Sequence, residues 1–248
     1  MNKKNKIAIV TMANNDYLPF TKNCIKSLEN IGLKDLIRVY CVDADCYENI
    51  SKEHLNTQLI KHNLNGDIDK LQRFPKGSAK LIKLAKTESG FKDLVLLKFI
   101  AISDALKKYE YVFFVDGDVI FLCDKFIEYS LKNIVDKDVL LQSDTNLDEA
   151  DAPCSGVMFI KRNKKTKQFF DIHQVKSDSD YDKFISDQDY VCKNRNKLTH
   201  EYFSKELFPN GKVFWENRDK LKPYLIHYNW CAGGQKYKRM KLSNGWFL

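Results

Sequence analysis

The stretch YVFFVDGD, Tyr111–Asp118, runs five apolar residues straight into two carboxylates separated by one glycine. An unbroken apolar run of that length suits a strand covered on both faces, as in α/β proteins with a mostly parallel sheet. Asp116 and Asp118 then stand at the carboxyl edge of the sheet, where open α/β sheets bind ligands. Two carboxylates held that close repel each other, and a hard divalent cation such as Mg²⁺ or Mn²⁺ relieves the repulsion. Asp-Gly is also a strong hairpin signal, so this stretch alone leaves a simple turn open.

The flanking sequence favours the sheet. Upstream, Phe91–Tyr109 is apolar at Leu94, Leu97, Ile100, Ala101 and Ala105 and closes on Lys107-Lys108, a pattern that predicts a helix. Lys6–Met12, Phe20–Ile31 with Gly32 as a stop, and Leu36–Val42 read as strand, helix and strand, the opening of a crossover-connected sheet. Residues 44–77 offer only a short strand at Leu59-Ile60 and turn signals at Gly66-Asp67 and Pro75-Lys76-Gly77. Downstream, Val139–Gln142 and Gly156–Ile160 read as strands and Lys165–Ile172 and Ser186–Asn194 as helices. Val213–Trp215 and Tyr224–Ile226 read as short strands, and the last twenty residues show no clear period. The expectation is one α/β domain over 1–248, with a half at 1–118 and a looser half at 119–248.

Composition narrows the function classes. The chain has 248 residues, 44% hydrophobic and 30% charged, which excludes disordered and fibrous proteins. No apolar run approaches a membrane span, and the apolar stretch after the N-terminal lysines stops too soon for a secretory signal. The net charge of +8 is compatible with nucleic acid, an anionic membrane surface or an anionic small substrate such as a nucleotide. The lysines are scattered and no nucleic-acid motif is present, so the reading is no nucleic acid and no membrane span. Seven cysteines without a C-x-x-C pair read as free thiols in a reducing compartment, hence a cytoplasmic protein.

A second constellation lies near the C-terminus. His227 ends an apolar stretch, where a neutral imidazole can supply a further metal ligand. Lys236 follows Gly233-Gly234, a stretch read as a Gly-rich loop whose lysine can contact phosphate. Taken singly, a core histidine and a surface lysine are the plainer readings of these two residues.

The ordered set TMAN at 11–14, VFFVDGD at 112–118, CSGVMFIKR at 154–162, SDQDYV at 186–191 and HYNW…GGQK at 227–236 resembles a metal-dependent glycosyltransferase of the GT-A type. More narrowly it resembles the nucleotide-diphospho-sugar transferases that include plant rhamnogalacturonan xylosyltransferases, with glycogenin-like enzymes more distant. The resemblance spans nearly the whole chain. It implies a Rossmann-type GT-A fold and Asp116, Asp118 and His227 as ligands of Mn²⁺ or Mg²⁺. It places Thr11 and Ala13 at the nucleoside, Tyr17 against the base, Lys98 and Gly117 at the donor, and Gly233 and Lys236 at the diphosphate. Ser155-Gly156 and Asp187-Gln188 would surround the donor sugar and the reacting centre, the latter pair as catalytic residues. The implied reaction moves a sugar from a UDP-linked donor to a hydroxyl acceptor on a glycan, protein or other molecule, with retention. Gly233, Gly234, Lys236 and the aromatics Trp230, Trp246 and Phe247 read as a C-terminal lid over the donor, with a permanently packed tail as the other reading. The chain departs from the family pattern at Cys154 and Cys192, each in place of Asn, and at Tyr237-Lys238 in place of Pro-Trp.

Three other readings compete. A haloacid-dehalogenase-like phosphohydrolase also carries D-x-D after an apolar strand, but near its N-terminus and with a downstream Asp pair that is not evident here. A non-catalytic sugar-nucleotide-binding protein would not need all three metal ligands. A sugar-nucleotide pyrophosphorylase would share the fold but needs a Gly-rich, Arg-containing loop where this chain has MANNDY.

Overall fold

The computed structural model describes residues 6–54, 56–60, 89–231 and 233–248. The turns read at Gly66-Asp67 and Pro75-Lys76-Gly77 lie outside the described residues. Among the described residues seven strands carry the fold: β1 (Ile7–Ala13), β2 (Ile37–Cys41), β3 (Thr57–Leu59), β4 (Tyr111–Val115), β6 (Val139–Ser143), β7 (Pro153–Lys161) and β8 (His200–Tyr202). They form one sheet in the order β3-β2-β1-β4-β7-β6-β8. Every neighbouring pair is parallel except those made by β7, which opposes both β4 and β6. The sheet is therefore mostly parallel, as expected. The reversal of β7 brings its first residues, Pro153–Gly156, to the edge where β1, β4 and β6 end.

The apolar strands are explained by cover on both faces. Along β4, Phe113 and Val115 join Ile7 and Ile9 of β1 in a core with Cys24 and Leu28 from α1 (Leu18–Asn30). Val112 and Phe114 point the other way, into a core with Leu97, Ile102 and Leu106. Those three belong to the long helix α3 (Ser89–Lys108), which follows α2 (Ala44–Ser51) in the chain. After β4 the chain makes β5 (Val119–Phe121), then α4 (Lys125–Asn133). Helices α5 (Lys164–Phe169), α6 (Ile172–Lys176) and α7 (Asp187–Asn194) follow β7.

Two readings of the C-terminal part are corrected. Val213–Trp215 is not a strand but lies in α8 (Gly211–Asn217), because Asn210 Oδ1 accepts from the backbone N–H groups of Lys212 and Val213 and caps a helix there. The stretch read as a Gly-rich loop is the first turn of α9 (Gly233–Leu242), with Gly233 at φ +49°. The strand read at Tyr224–Ile226 is β9 (Leu225–His227), and it pairs antiparallel with β5 so that Val119 faces His227. Ile120, Phe214, Ile226, Tyr228 and Met240 form a third, smaller core that seats α9 and the tail beside this pair. Among the described residues no helix is long and apolar enough to cross a membrane.

Candidate active site

The carboxyl edge of the sheet collects the charged residues. Asp116 follows β4 directly, and its backbone N–H donates to Gly156 O (2.8 Å), which locks it to the start of β7. Asp118 precedes β5, and Tyr228 N donates to Asp118 O (3.1 Å). His227 reaches the same point from β9. One ligand atom from each of Asp116, Asp118 and His227 lies within 4.8 Å of the others.

Each carboxylate is held from behind by a buried lysine. Lys98, 4% exposed on α3, places its ammonium 3.2 Å from Asp116 Oδ1 and 2.6 Å from Asp187 Oδ2. Lys236 of α9, also buried, donates to Asp118 Oδ2 and to the Tyr17 hydroxyl (2.5 Å). The other oxygens turn towards the imidazole: His227 Nε2 is 3.8 Å from Asp116 Oδ2 and 3.4 Å from Asp118 Oδ1. Lys236 is thus no surface lysine.

This set fits a divalent cation. Among the described residues, buried Asp118 Oδ1 has no hydrogen-bond partner, a costly state for a carboxylate oxygen unless a cation completes it. Two carboxylate oxygens and an imidazole nitrogen are ordinary ligands for Mn²⁺ and acceptable ones for Mg²⁺. Gly156 keeps the space open: a Cβ there would lie 2.3 Å from His227 Cε1 and 2.7 Å from Asp116 Oδ2. Without a cation the charges settle among themselves. Burial alone would raise the Asp118 pKa, but Lys236 and His227 outweigh it and hold its carboxyl well below the usual range. Burial would lower His227, but the Asp118 carboxylate pushes it well above the ordinary histidine value. Tyr17 is pushed up by burial and then by Asp118 and Asp116.

The residues read from sequence separate into two groups. Tyr17, Lys98, Asp116, Asp118, Ser155, Gly156, Asp187, His227 and Lys236 converge, with Ser155 Oγ donating to Asp187 Oδ2 (2.5 Å). Gly117 lies between the carboxylates against α1, where a Cβ would meet Thr21 Oγ1 at 2.5 Å. Thr11 and Ala13 stand at the end of β1, both buried, with Thr11 Oγ1 lacking a hydrogen-bond partner among the described residues. Gln188 points to Asp144 instead, donating to its Oδ2 (3.1 Å). Gly233 is exposed, and a methyl group in place of its hydrogen would meet nothing within 4 Å, so its role in the fold is the positive φ.

Three residues that sequence reading missed also belong here. Asp144 accepts from Asn229 Nδ2 (2.9 Å) and from the indole Nε1 of Trp230 (2.8 Å), a 57% exposed side chain on a backbone of φ +59°. Gln142 contacts His227 Nδ1 at 2.7 Å. Cys154, where the family pattern has Asn, lies 3.8 Å from the same nitrogen, and burial pushes its thiol up.

Residues 34–242 match the family described as nucleotide-diphospho-sugar transferase. The chain belongs to that family. Among curated relatives of this nucleotide-diphospho-sugar transferase is the UDP-galactose:fucoside alpha-3-galactosyltransferase of Dictyostelium discoideum, 24% identical over 97% of this chain. The chain spans 43% of that relative's length. Among solved structures, the galactosyltransferase LgtC superposes with a TM-score of 0.56 at 16% identity, covering 97% of this chain and 96% of LgtC. Mouse xyloside xylosyltransferase 1 superposes at 0.51 with 10% identity, covering 90% and 98%. These likenesses establish the GT-A fold. They give no support to the phosphohydrolase alternative.

Proposed function

We propose that this nucleotide-diphospho-sugar transferase moves a sugar from a UDP-linked donor to a hydroxyl acceptor, with retention, using Mn²⁺ or Mg²⁺ held by Asp116, Asp118 and His227. The observation that carries the reading is the buried Asp118 Oδ1, which has no hydrogen bond among the described residues and faces His227 Nε2 at 3.4 Å. The name of the Dictyostelium relative, a UDP-galactose transferase, supports a UDP-linked donor, with a hexose or a pentose as the sugar moved. When bound, the cation would supply Lewis-acid stabilisation of the diphosphate leaving group.

The chain's own residues prepare that site. Lys98 and Lys236 each take one oxygen of a carboxylate and leave the other free, so the ligand atoms are oriented before a cation arrives. Lys236 also sits where a diphosphate would approach, and it can share its protons between Asp118 and a phosphate oxygen. Thr11, Ala13 and Tyr17 would border the nucleoside; Gly117 would lie beside the donor between the two carboxylates, and Gly233 would start the helix that carries Lys236 to the diphosphate. Ser155, Gly156, Asp187 and Gln188 would border the sugar. Asp187 is already engaged with Lys98 and Ser155, which suits positioning the sugar rather than taking a proton. In this scheme 1–118 is the nucleotide half, 119–248 the sugar and acceptor half, and the segment from 228 onward a lid. The free cysteines among the described residues favour a reducing, cytoplasmic setting.

A thermal-shift screen with UDP, UDP-sugars, ATP and GTP, each with and without Mn²⁺, tests the reading. UDP compounds are expected to raise the melting temperature only with metal. Equal shifts with ATP and GTP, or none with any UDP compound, would overturn it.

A further inference from the structure

Gln142 is fully buried near the end of β6, an unusual place for a side-chain amide. Both ends of the amide are used. Its Nε2 donates to Phe208 O (3.0 Å), and its Oε1 lies 2.7 Å from His227 Nδ1. Phe208 O can only accept, so it fixes which end of the amide carries the oxygen. Turned over, the amide would set its oxygen against that carbonyl. An oxygen facing Nδ1 requires a proton on Nδ1. The nitrogen left to face Asp116 and Asp118 is Nε2.

The backbone is irregular at the same place. Leu141 of β6 pairs with Met158, but the next residue, Gln142, pairs with Cys154, so the register shifts between them. Such irregularities re-aim a side chain and occur beside active sites. Here the shift delivers the amide to the imidazole. Cys154 Sγ, 3.8 Å from the same nitrogen, is a weaker and more distant partner.

We propose that Gln142 is a positioning residue that holds His227 with Nδ1–H bound and Nε2 presented for metal. The proposal rests on the metal-dependent reading above. Ligating histidines are commonly held in this way by a partner on the second ring nitrogen, and losing that partner costs about 10–100-fold in metal affinity.

The test is Mn²⁺ binding followed by electron paramagnetic resonance, in the presence of UDP and without turnover. Gln142→Met keeps the bulk and removes the acceptor; it is expected to weaken Mn²⁺ binding about 10–100-fold. Gln142→Glu as the neutral acid keeps an oxygen that accepts from Nδ1 and an O–H that donates to Phe208 O, and it is expected to recover affinity relative to Gln142→Met; no recovery would overturn the acceptor role. Wild-type affinity in Gln142→Met would overturn the role of Gln142 alone. Absence of Mn²⁺ binding by the wild type, or binding indifferent to Asp118→Asn, would overturn the metal reading and this proposal with it. A readout needing no variant at Gln142 is the ring N–H signal of His227 in ¹⁵N-histidine-labelled, metal-free protein, assigned by its loss in His227→Gln. A slowly exchanging Nδ1–H proton is expected, whether the ring is neutral or charged. An unprotonated Nδ1 would overturn the proposal even if the variants failed to fold.

Discussion

Lys236 donates to Asp118 Oδ2 across 118 residues of sequence, joining the first turn of the C-terminal helix to the D-x-D segment. The pair is buried, so its lysine both completes the fold and orients a ligand oxygen. Breaking a buried pair by removing one partner leaves an uncompensated charge and typically costs several kcal/mol. Lys236→Met is therefore expected to lower metal-free stability by about 3 kcal/mol in urea unfolding. Adding Asp118→Asn should recover part of that loss, because the stranded carboxylate is gone. A loss within about 0.5 kcal/mol, typical of surface positions, would show that the pair does not hold in solution.

The tail is pinned separately. Asn23 of α1, fully buried, donates to Gly245 O (2.8 Å) and accepts from Phe247 N (2.7 Å). Asn23→Ala should cost about 1–3 kcal/mol, since two backbone groups lose their partner. Hydrogen exchange should rise across 243–248 in this variant. For the lid, exchange over residues 228–248 is expected to slow when UDP and Mn²⁺ are added to the wild type. Equal protection with and without ligand would mean a permanently packed tail.

Gly156→Ala probes the space between the ligands. Its methyl would overlap His227 Cε1 and Asp116 Oδ2, so one of them must move. The expected outcome is loss of Mn²⁺ binding with a stability change of about 1–3 kcal/mol, the usual cost of an inserted methyl. Mn²⁺ affinity equal to wild type would contradict the described convergence.

Thiol chemistry offers a pH-dependent test of the packing of α1 and α2. Burial pushes the Cys24 thiol far up, and the neighbouring Cys41 and then burial do the same to Cys46. A raised thiol pKa reduces the reactive thiolate at any given pH. Both should resist alkylation from about pH 7 to 9 in the folded protein and react on unfolding, as read by mass spectrometry. Rapid labelling of either in the native state would contradict the packing around α1 and α2.

Much of the sheet was legible because β1, β2 and β4 are covered on both faces and so appear as mostly apolar runs, broken only by Thr11 in β1 and Arg38 in β2. The D-x-D pair was legible because it interrupts the strongest of them. His227 and Lys236 were visible only as members of an ordered set, since each taken singly looks structural. The misread elements have local causes. Val213-Phe214-Trp215 is too short for apolar content to separate helix from strand, and the cap at Asn210 was the signal that could have decided it. Helix α9 buries little beyond Lys236 and Met240, so its exposed Lys238 and Lys241 and half-buried Arg239 hide the four-residue spacing between them. Helix α4 buries only Phe126, Ile127 and Ser130, too sparse a face to stand out from its charged neighbours. Gln142 could not be found from sequence. Its importance depends on a register shift that brings it to a histidine 85 residues away.

Everything proposed for the site turns on a divalent cation, held by Asp116, Asp118 and His227, acting on a UDP-linked donor. Hydrolysis of a panel of UDP-sugars decides it, run with the wild type and with Asp118→Asn, in excess EDTA and then with Mn²⁺ or Mg²⁺ restored. Turnover of at least one UDP-sugar is expected to stop with chelator, return with metal, and never appear in the folded Asp118→Asn variant. Full turnover in excess EDTA would contradict the metal role.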